Sequence, residues 1–531
     1  MINNYQFPFL LKVINYTKMK NIKEILIPSL SIILMAGTIG CSNLDDAVLD
    51  KSSKAADVST ALQLKSAYQS LGSFTDQANA YALLEHPSDE MQGPTRGADW
   101  DDNGRWRNLH THTWTNQSDD VLGAWNNLNR GHALANEVIA DPKATKQQVA
   151  EAKFIRAMYI FYTTDLFGQV AFKDLANPGA LPKGLSRKEA ADQVISDLKS
   201  IVADLPSASA GNANVGSATK EAVAFLLAKT YLNKGVFNQA PSTPAGPFTF
   251  DKVDMDAVIA NADLIINSGK YSLTANYFDN FHFENSTRSK ELIFAIQNDK
   301  GQSNNNGSSV RNRYFMTCHY NMTPSGWNGF TTLSDFYGSF ESSDTRRGAA
   351  IKGVTDVKGL RAGFLIGQQF NETGAALKDR EGKPLVFTAD IDLKTANEVN
   401  GVRVIKYQPD FSDIDSPAND YVFFRFADAW LMKAEALYRS GSAPMALTMV
   451  NTLRVARGAS ALTALTDAVL LAERGREFYW EGWRRNDQIR FGKFNAPVQN
   501  RSAVSPDFRV VFPIPQKELE INSNLKQNFG Y

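Results

Sequence analysis

ERGREFYWEGWRRNDQIRFGKF, Glu473–Phe494, packs ions and aromatic rings into one short run. It interleaves nine charged residues, from Glu473 to Arg490, with Phe478, Tyr479, Trp480, Trp483, Ile489 and Phe491. Glu473, Glu477 and Glu481 repeat every four residues and so share one helical face, a spacing at which like charges repel unless cations answer them. Arg476, Arg484 and Arg485 stand three or four residues from an acid, and planar guanidinium forks suit carboxylates. The spacing predicts a half-buried, salt-bridged pair of helices with one turn between them. A glycosidase also needs two carboxylates, so Glu477 and Glu481 admit a catalytic reading. An arginine within a helical turn of every acid favours the ion-paired structural reading instead.

Outward from this stretch, the pattern E-R-x-R-E-F-x-x-E-G-x-R-R-x-D-x-I-R-F-G-K-F resembles the C-terminal signature of the SusD/RagB family. SKELIFAIQ (Ser289–Gln297), RFADAWLMKAEAL (Arg425–Leu437), VNTLRVARG (Val450–Gly458) and FPIPQKELEINSNLKQNFGY (Phe512–Tyr531) are similar to further segments of that family, in the same order. Ser523 and Phe529 stand where the family commonly has proline. The resemblance implies an outer-membrane, cell-surface lipoprotein that binds a glycan and passes it to a SusC-like TonB-dependent transporter. It also implies a mainly α, tetratricopeptide-like scaffold, and neither enzymatic activity nor a cofactor.

The N-terminus fits that expectation. Basic residues around Met19–Lys23 precede the apolar run Ile25–Ile39, whose length suits a signal peptide rather than a membrane span. Residues 1–40 read as the signal, with Met19 a candidate true start. Thr38-Ile39-Gly40-Cys41 resembles a lipobox, although Thr38 replaces the usual leucine-like residue, and it makes Cys41 the expected lipidation site. The acidic Asp45-Asp46 just beyond it is similar to the export tags of such lipoproteins.

The 531 residues are 43% hydrophobic and 21% charged, with a formal net charge of zero. That balance is of ordinary globular kind and gives no reason to expect a nucleic-acid partner. Two cysteines, Cys41 and Cys318, exclude a disulfide framework, and Cys318 is expected to be buried and inert.

Helical patterns run Ala55–Leu71, Ser118–Ala140, Thr145–Phe167, Ser186–Leu205, Thr219–Val236 and Asp254–Asn267, with Ser118 a candidate N-cap. Three segments, Glu151–Tyr159, Glu221–Leu232 and Ala427–Tyr438, alternate small alanines with large apolar residues, as stacked helical pairs do. Their irregular spacing argues against a regular solenoid. We divide the chain at 41–268 (helical), 269–420 (a loop-rich insertion) and 421–531 (helical), all parts of one domain.

Two loop-like stretches carry the candidate ligand chemistry. Asp89–Thr115 places Trp100 and Trp106 among Asp99, Asp101, Asn103 and Arg107, flanked by Gly97 and Gly104. Tyr314–Arg347 places Tyr320, Trp327 and Asn328 among flexible glycines. Aromatic faces beside polar side chains suit a sugar ring, whose C–H face stacks while its hydroxyls bond. Trp114, close to a helix, reads as core. Asp99–Gly104 also begins like a calcium loop, D-x-D-x-N-G, but His110 stands where a bidentate glutamate belongs. His110 and His112 alternate without a third ligand nearby. No metal is therefore expected. The chain carries no G-x-S-x-G, P-loop or H-E-x-x-H motif. A helical-repeat adaptor without a glycan ligand is the remaining alternative.

Overall fold

Side-chain oxygens start three of the central helices where the sequence places them. The structure, a computed structural model, describes residues 59–301, 308–348, 356–357 and 360–531. The signal segment and Cys41 lie outside the described residues. Thr145 and Ser186 each form a reciprocal capping box, with Gln148 and Glu189 respectively. The Thr219 hydroxyl accepts from the Ala222 amide. Ser118 stands at an N-cap but makes no capping bond there; its hydroxyl accepts from the Thr115 amide instead.

The helices that follow from this punctuation are α1 (Thr60–Ser70), α2 (Asn79–Glu85), α3 (Arg105–His110), α4 (Asp119–Ala140), α5 (Lys146–Phe167), α6 (Arg187–Ile201), α7 (Lys220–Phe237) and α8 (Lys252–Ile266). After a long excursion come α9 (Phe426–Arg439), α10 (Ala443–Ala456), α11 (Asp467–Phe478) and α12 (Arg484–Arg490). From α4 to α10 each packs on the next, and α9 continues the stack on α8. This is the expected mainly helical, tetratricopeptide-like scaffold. Nearly all of α5 beyond its first turn is buried, as a helix apolar on every side must be. Close approach of α4 to α5 requires Gly131, because a Cβ there would lie 2.0 Å from the Tyr159 ring.

The excursion between α8 and α9 is bounded by an antiparallel strand pair, Leu292–Ile296 with Tyr421–Arg425, in which Ile296 faces Tyr421. Inside it, Gly363–Leu365 pairs with Arg403–Ile405. Residues Thr60–Tyr531 form one compact unit.

The Glu473–Phe494 stretch forms α11, a turn at Tyr479–Trp483 and α12. It is buried outright rather than half-buried: Glu473, Arg474, Glu477, Arg485 and Arg490 are each at most 1% exposed. Most ion partners come from elsewhere in the chain, not from the same helix. Glu477 binds Arg425 at 2.7 Å, Arg457 at 2.9 Å and Arg346 at 3.1 Å. Glu473 binds Arg346 at 2.7 Å and Arg454 at 2.5 Å, and keeps only Arg476 from its own helix. Arg484 and Arg485 leave the local acids and reach Asp89 at 2.6 Å and Asp165 at 2.8 Å. A neighbour on the same helix can satisfy an exposed charge. A carboxylate stripped of water needs several donors converging from different directions.

Burial pushes the Glu477 carboxyl up, but the charges of Arg457, Arg425 and Arg346 outweigh it and hold it well below the usual range. Glu477 is thus ionised and enclosed, with no proton to give. Glu481 is held by Lys406 at 2.6 Å and Arg425 at 2.8 Å, its side chain 4% exposed. These two acids serve the fold, which removes the basis for reading them as a catalytic pair. Glu477→Gln removes the one charge shared by three buried guanidinium groups and is expected to lower unfolding free energy by about 3–5 kcal/mol, measured by urea denaturation. A loss below about 1 kcal/mol would be the cost of a surface pair and would refute the hub.

The turn between α11 and α12 leans on two buried acids. Glu85 accepts from the Gly482 amide and Glu90 from the Trp480 amide at 3.2 Å. Burial pushes the Glu85 carboxyl up to about 7 from its ordinary 4.5, against the opposing pull of the Gly482 amide and Lys406. The folded state therefore holds a proton that the unfolded chain has released above pH 4.5. This group's contribution to stability falls as pH rises from about 4.5 to about 7 and is flat beyond. Thermal melts of Glu85→Gln should show a shallower decline across that window than the parent; an unchanged slope contradicts the assignment.

Candidate functional site

The loop from Gly93 to Gly104 is the second half of the connection between α2 and α3. It turns tightly at Arg96–Asp99, whose backbone groups bond each other at 2.8 and 3.0 Å. Just beyond, Trp100 has φ +63°, Asp102 +41° and Asn103 +53°. A bulky side chain in the left-handed region is an outlier that costs about 1–3 kcal/mol. It persists here because the indole is clamped. The Trp100 N–H donates to the Trp327 carbonyl at 2.8 Å. Its ring packs edge-on to Phe330 at 4.9 Å between centroids. A Cβ at Gly329 would lie 2.5 Å from that ring, so the indole rests against bare backbone.

The second stretch meets the first at this point, more than 200 residues away in sequence. Tyr320 donates its hydroxyl proton to Asp99 Oδ2 at 2.6 Å. Trp327 packs beside Phe315 at 5.6 Å. Trp100, Phe315, Tyr320 and Trp327 are all half-buried, each with part of its surface open to solvent.

Two buried arginines fix the loops beneath. Arg96 donates to the Gly329 carbonyl at 3.3 Å, the Asn400 carbonyl at 2.9 Å and the Asn397 carbonyl. Arg403 donates to the carbonyls of Asn400, Gly401 and Glu398 at 2.6–2.7 Å and to Asn328 Oδ1 at 2.8 Å. Residues 397–401 are thereby tied to both aromatic stretches. Burial pushes the Arg96 guanidinium down to about 9, and it remains charged at neutral pH.

On the outer side, Arg380 lies 4.0 Å over the Tyr320 ring. Glu398 accepts from the Arg380 Nε and from its backbone amide at 3.2 Å. It also contacts His319 Nε2 at 3.0 Å. Burial pushes the Glu398 carboxyl up, but hydrogen bonds from Arg380 and His319 outweigh it and hold it below the usual range.

Of the residues singled out from sequence, Asp99, Trp100, Tyr320 and Trp327 come together. Asp101 and Arg107 form a rim pair at 2.6 Å with Thr95, and Asn103 is exposed on the turn. Two others are corrected. Trp106 is 2% exposed and belongs to the core: it packs on His86 and Phe330, and its N–H donates to Asp102 at 2.7 Å. The short helix α3 turns it inward, where the sequence reads as open loop. Asn328 is fully buried, donating to the Glu398 carbonyl and accepting from Arg403. It shapes the loop and presents nothing to a ligand. His110 and His112 are buried too, bonded to the carbonyls of Gln499 and Pro87 at 2.9 Å, and His110 ends helix α3. Asp99 and Asp101 turn to different partners, Tyr320 and Arg107, instead of converging as calcium ligands do. Sequence reasoning missed Phe315, Arg380 and Glu398. Arg380 sits in a charged turn, Asp379–Lys383, with no aromatic residue beside it to draw notice.

Comparison with known proteins places this geometry in context. Residues 290–531 match the model of the SusD family. The starch-binding protein SusD of Bacteroides thetaiotaomicron is 27% identical over 437 residues, covering 73% of each chain. A laminarin-binding SusD-like protein superposes with a TM-score of 0.68 at 18% identity, over 89% of this chain and 99% of that one. Surface glycan-binding protein A from B. thetaiotaomicron, in complex with laminarihexaose, superposes with a TM-score of 0.65 at 19% identity, over 88% and 98%. At such identities the solved structures establish the fold alone.

Proposed function

The chain belongs to the SusD family, and from that premise we propose that it binds carbohydrate on the surface formed by Trp100, Tyr320 and Trp327. The observation that carries the reading is their convergence. Two stretches far apart in sequence are locked into one partly open aromatic surface, with a carboxylate, Asp99, held among the rings. Indole and phenol faces take the C–H side of a pyranose while ionised and amide groups take its hydroxyls. Strain at Trp100 is consistent with a pre-set binding surface. Relatives named for starch and laminarin binding support carbohydrate as the ligand class.

Binding without chemical change is the reading we infer, supported by relatives named for glycan binding and by a surface whose groups stack and hydrogen-bond. Aromatic contacts contribute about 0.5–1.5 kcal/mol each beyond area burial, so affinity comes from several acting together on an extended oligosaccharide. The chain is a lipoprotein anchored through Cys41 at the outer-membrane surface, and it hands its glycan to a TonB-dependent transporter.

Affinity electrophoresis against a panel of plant, algal and microbial glycans tests the site. At least one glycan should retard the protein, and Trp100→Ala and Trp327→Ala should each weaken that retention about tenfold, or about 1.4 kcal/mol. Retention unchanged in both variants places the ligand elsewhere. For the anchor, Cys41→Ala should leave the protein in the soluble fraction, while the parent stays with the outer membrane and copurifies with a TonB-dependent transporter. Membrane retention of Cys41→Ala, or recovery of the parent without a transporter, would count against this assignment.

A further inference from the structure

Arg380 is half-exposed at the outer edge of the aromatic surface, its side chain 51% accessible. An arginine at a ligand surface invites the reading of a counter-ion for an acidic sugar. Its surroundings contradict that. Glu398 engages both the backbone amide and Nε of Arg380. Asp99 lies 3.5 Å from Nη2. Neither carboxylate is free to swing away, because His319 holds Glu398 at 3.0 Å and Tyr320 holds Asp99 at 2.6 Å. The guanidinium plane is fixed over Tyr320 as well. Its charge is answered before any ligand arrives, while Nη1 makes no hydrogen bond among the described residues.

The surrounding charges balance in the same way. Asp99, Asp101, Asp102 and Glu398 supply four carboxylates, and Arg96, Arg107, Arg380 and Arg403 supply four guanidinium groups. Arg107 is committed to Asp101 at 2.6 Å. Arg96 and Arg403 are buried and bonded to backbone carbonyls. Among these eight groups, an anionic glycan would meet exposed carboxylates and guanidinium groups that are each already bonded.

Resting on the reading of this surface as a carbohydrate site, we propose that its ligand is an uncharged glycan and that Arg380 determines specificity, donating from its outer edge to sugar hydroxyls rather than pairing with an acid. A planar fork of donors matches two neighbouring ring hydroxyls, as a lysine's point charge does not. Glu398 and Asp99 then act through Arg380: they neutralise it and orient it.

The test compares soluble neutral oligosaccharides (laminarihexaose, maltoheptaose, xylohexaose, mannohexaose and a galactan oligomer) with oligogalacturonide and sulfated galactan oligomers, by calorimetry on the protein lacking residues 1–41. A neutral member should bind, with affinity changing less than about twofold from about 50 to about 500 mM NaCl. Arg380→Ala should weaken it about tenfold, with Arg380→Lys recovering only part of the loss. Glu398→Gln, which unmasks the guanidinium charge, should gain measurable affinity for an acidic oligomer. Thermal melts matching the parent's confirm that the variants fold. Acidic oligomers bound by the parent in a salt-sensitive, Trp100-dependent manner would overturn the charge assignment and leave the glycan site standing. Neutral binding indifferent to both Arg380 substitutions would overturn it as well. Binding of no member, of either class, would remove the carbohydrate reading and this inference with it.

Discussion

A single carboxylate, that of Glu477, sits fully buried among three guanidinium groups, and the architecture is arranged so that it can. Arg425 comes from the strand at the end of the insertion, Arg457 from just past α10, and Arg346 from within the insertion. Glu291, at the insertion's other strand, answers Arg425 and Arg457 in turn, at 3.0 and 2.7 Å. No member of this set can leave water alone without a heavy desolvation cost, and the attraction repays it only when the geometry is complete. The network therefore closes only if both edges of the insertion and the terminal helices arrive together. That is how a loop-rich segment of about 150 residues, which would fold poorly alone, is fixed to a helical stack.

The aromatic surface repeats the device with a different acceptor. Arg96 and Arg403 are buried like the hub arginines, yet their partners are chiefly backbone carbonyls. Each carbonyl bonded this way pins a stretch of loop that lacks secondary structure to hold it. The consequence is a surface whose aromatic rings are positioned before a ligand arrives, with the left-handed Trp100 held by the Trp327 carbonyl on one side and Gly329 on another. Preorganisation matters most for weak, repeated contacts, since each ring would otherwise lose its small gain to ordering.

How much of this was legible in the sequence depends on range. Capping residues such as Thr145 and Ser186 act within one turn, so helix starts could be read directly. The charged stretch at Glu473–Phe494 announced an ion-paired helical pair, but local spacing named the wrong partners for Arg484 and Arg485, because burial rewards convergence from distant segments. The same limit applies at the site. Residue types marked Trp100, Tyr320 and Trp327 as ligand chemistry, and nothing in the sequence said that their loops touch. Trp106 shares one glycine-containing polar stretch with Trp100, yet one short helical turn sends it into the core. Arg380 carried no signal, since its meaning comes from Tyr320, sixty residues earlier, and from Glu398, eighteen residues later.

Carbohydrate stacked on rings held rigid by buried arginines would be visible in a crystal structure with a glycan selected from the panel. Pyranose rings should lie within about 4 Å of Trp327 or Trp100, the usual contact distance, with both loops unmoved. A glycan bound at another face of the helical stack, the aromatic surface bare, would contradict that placement.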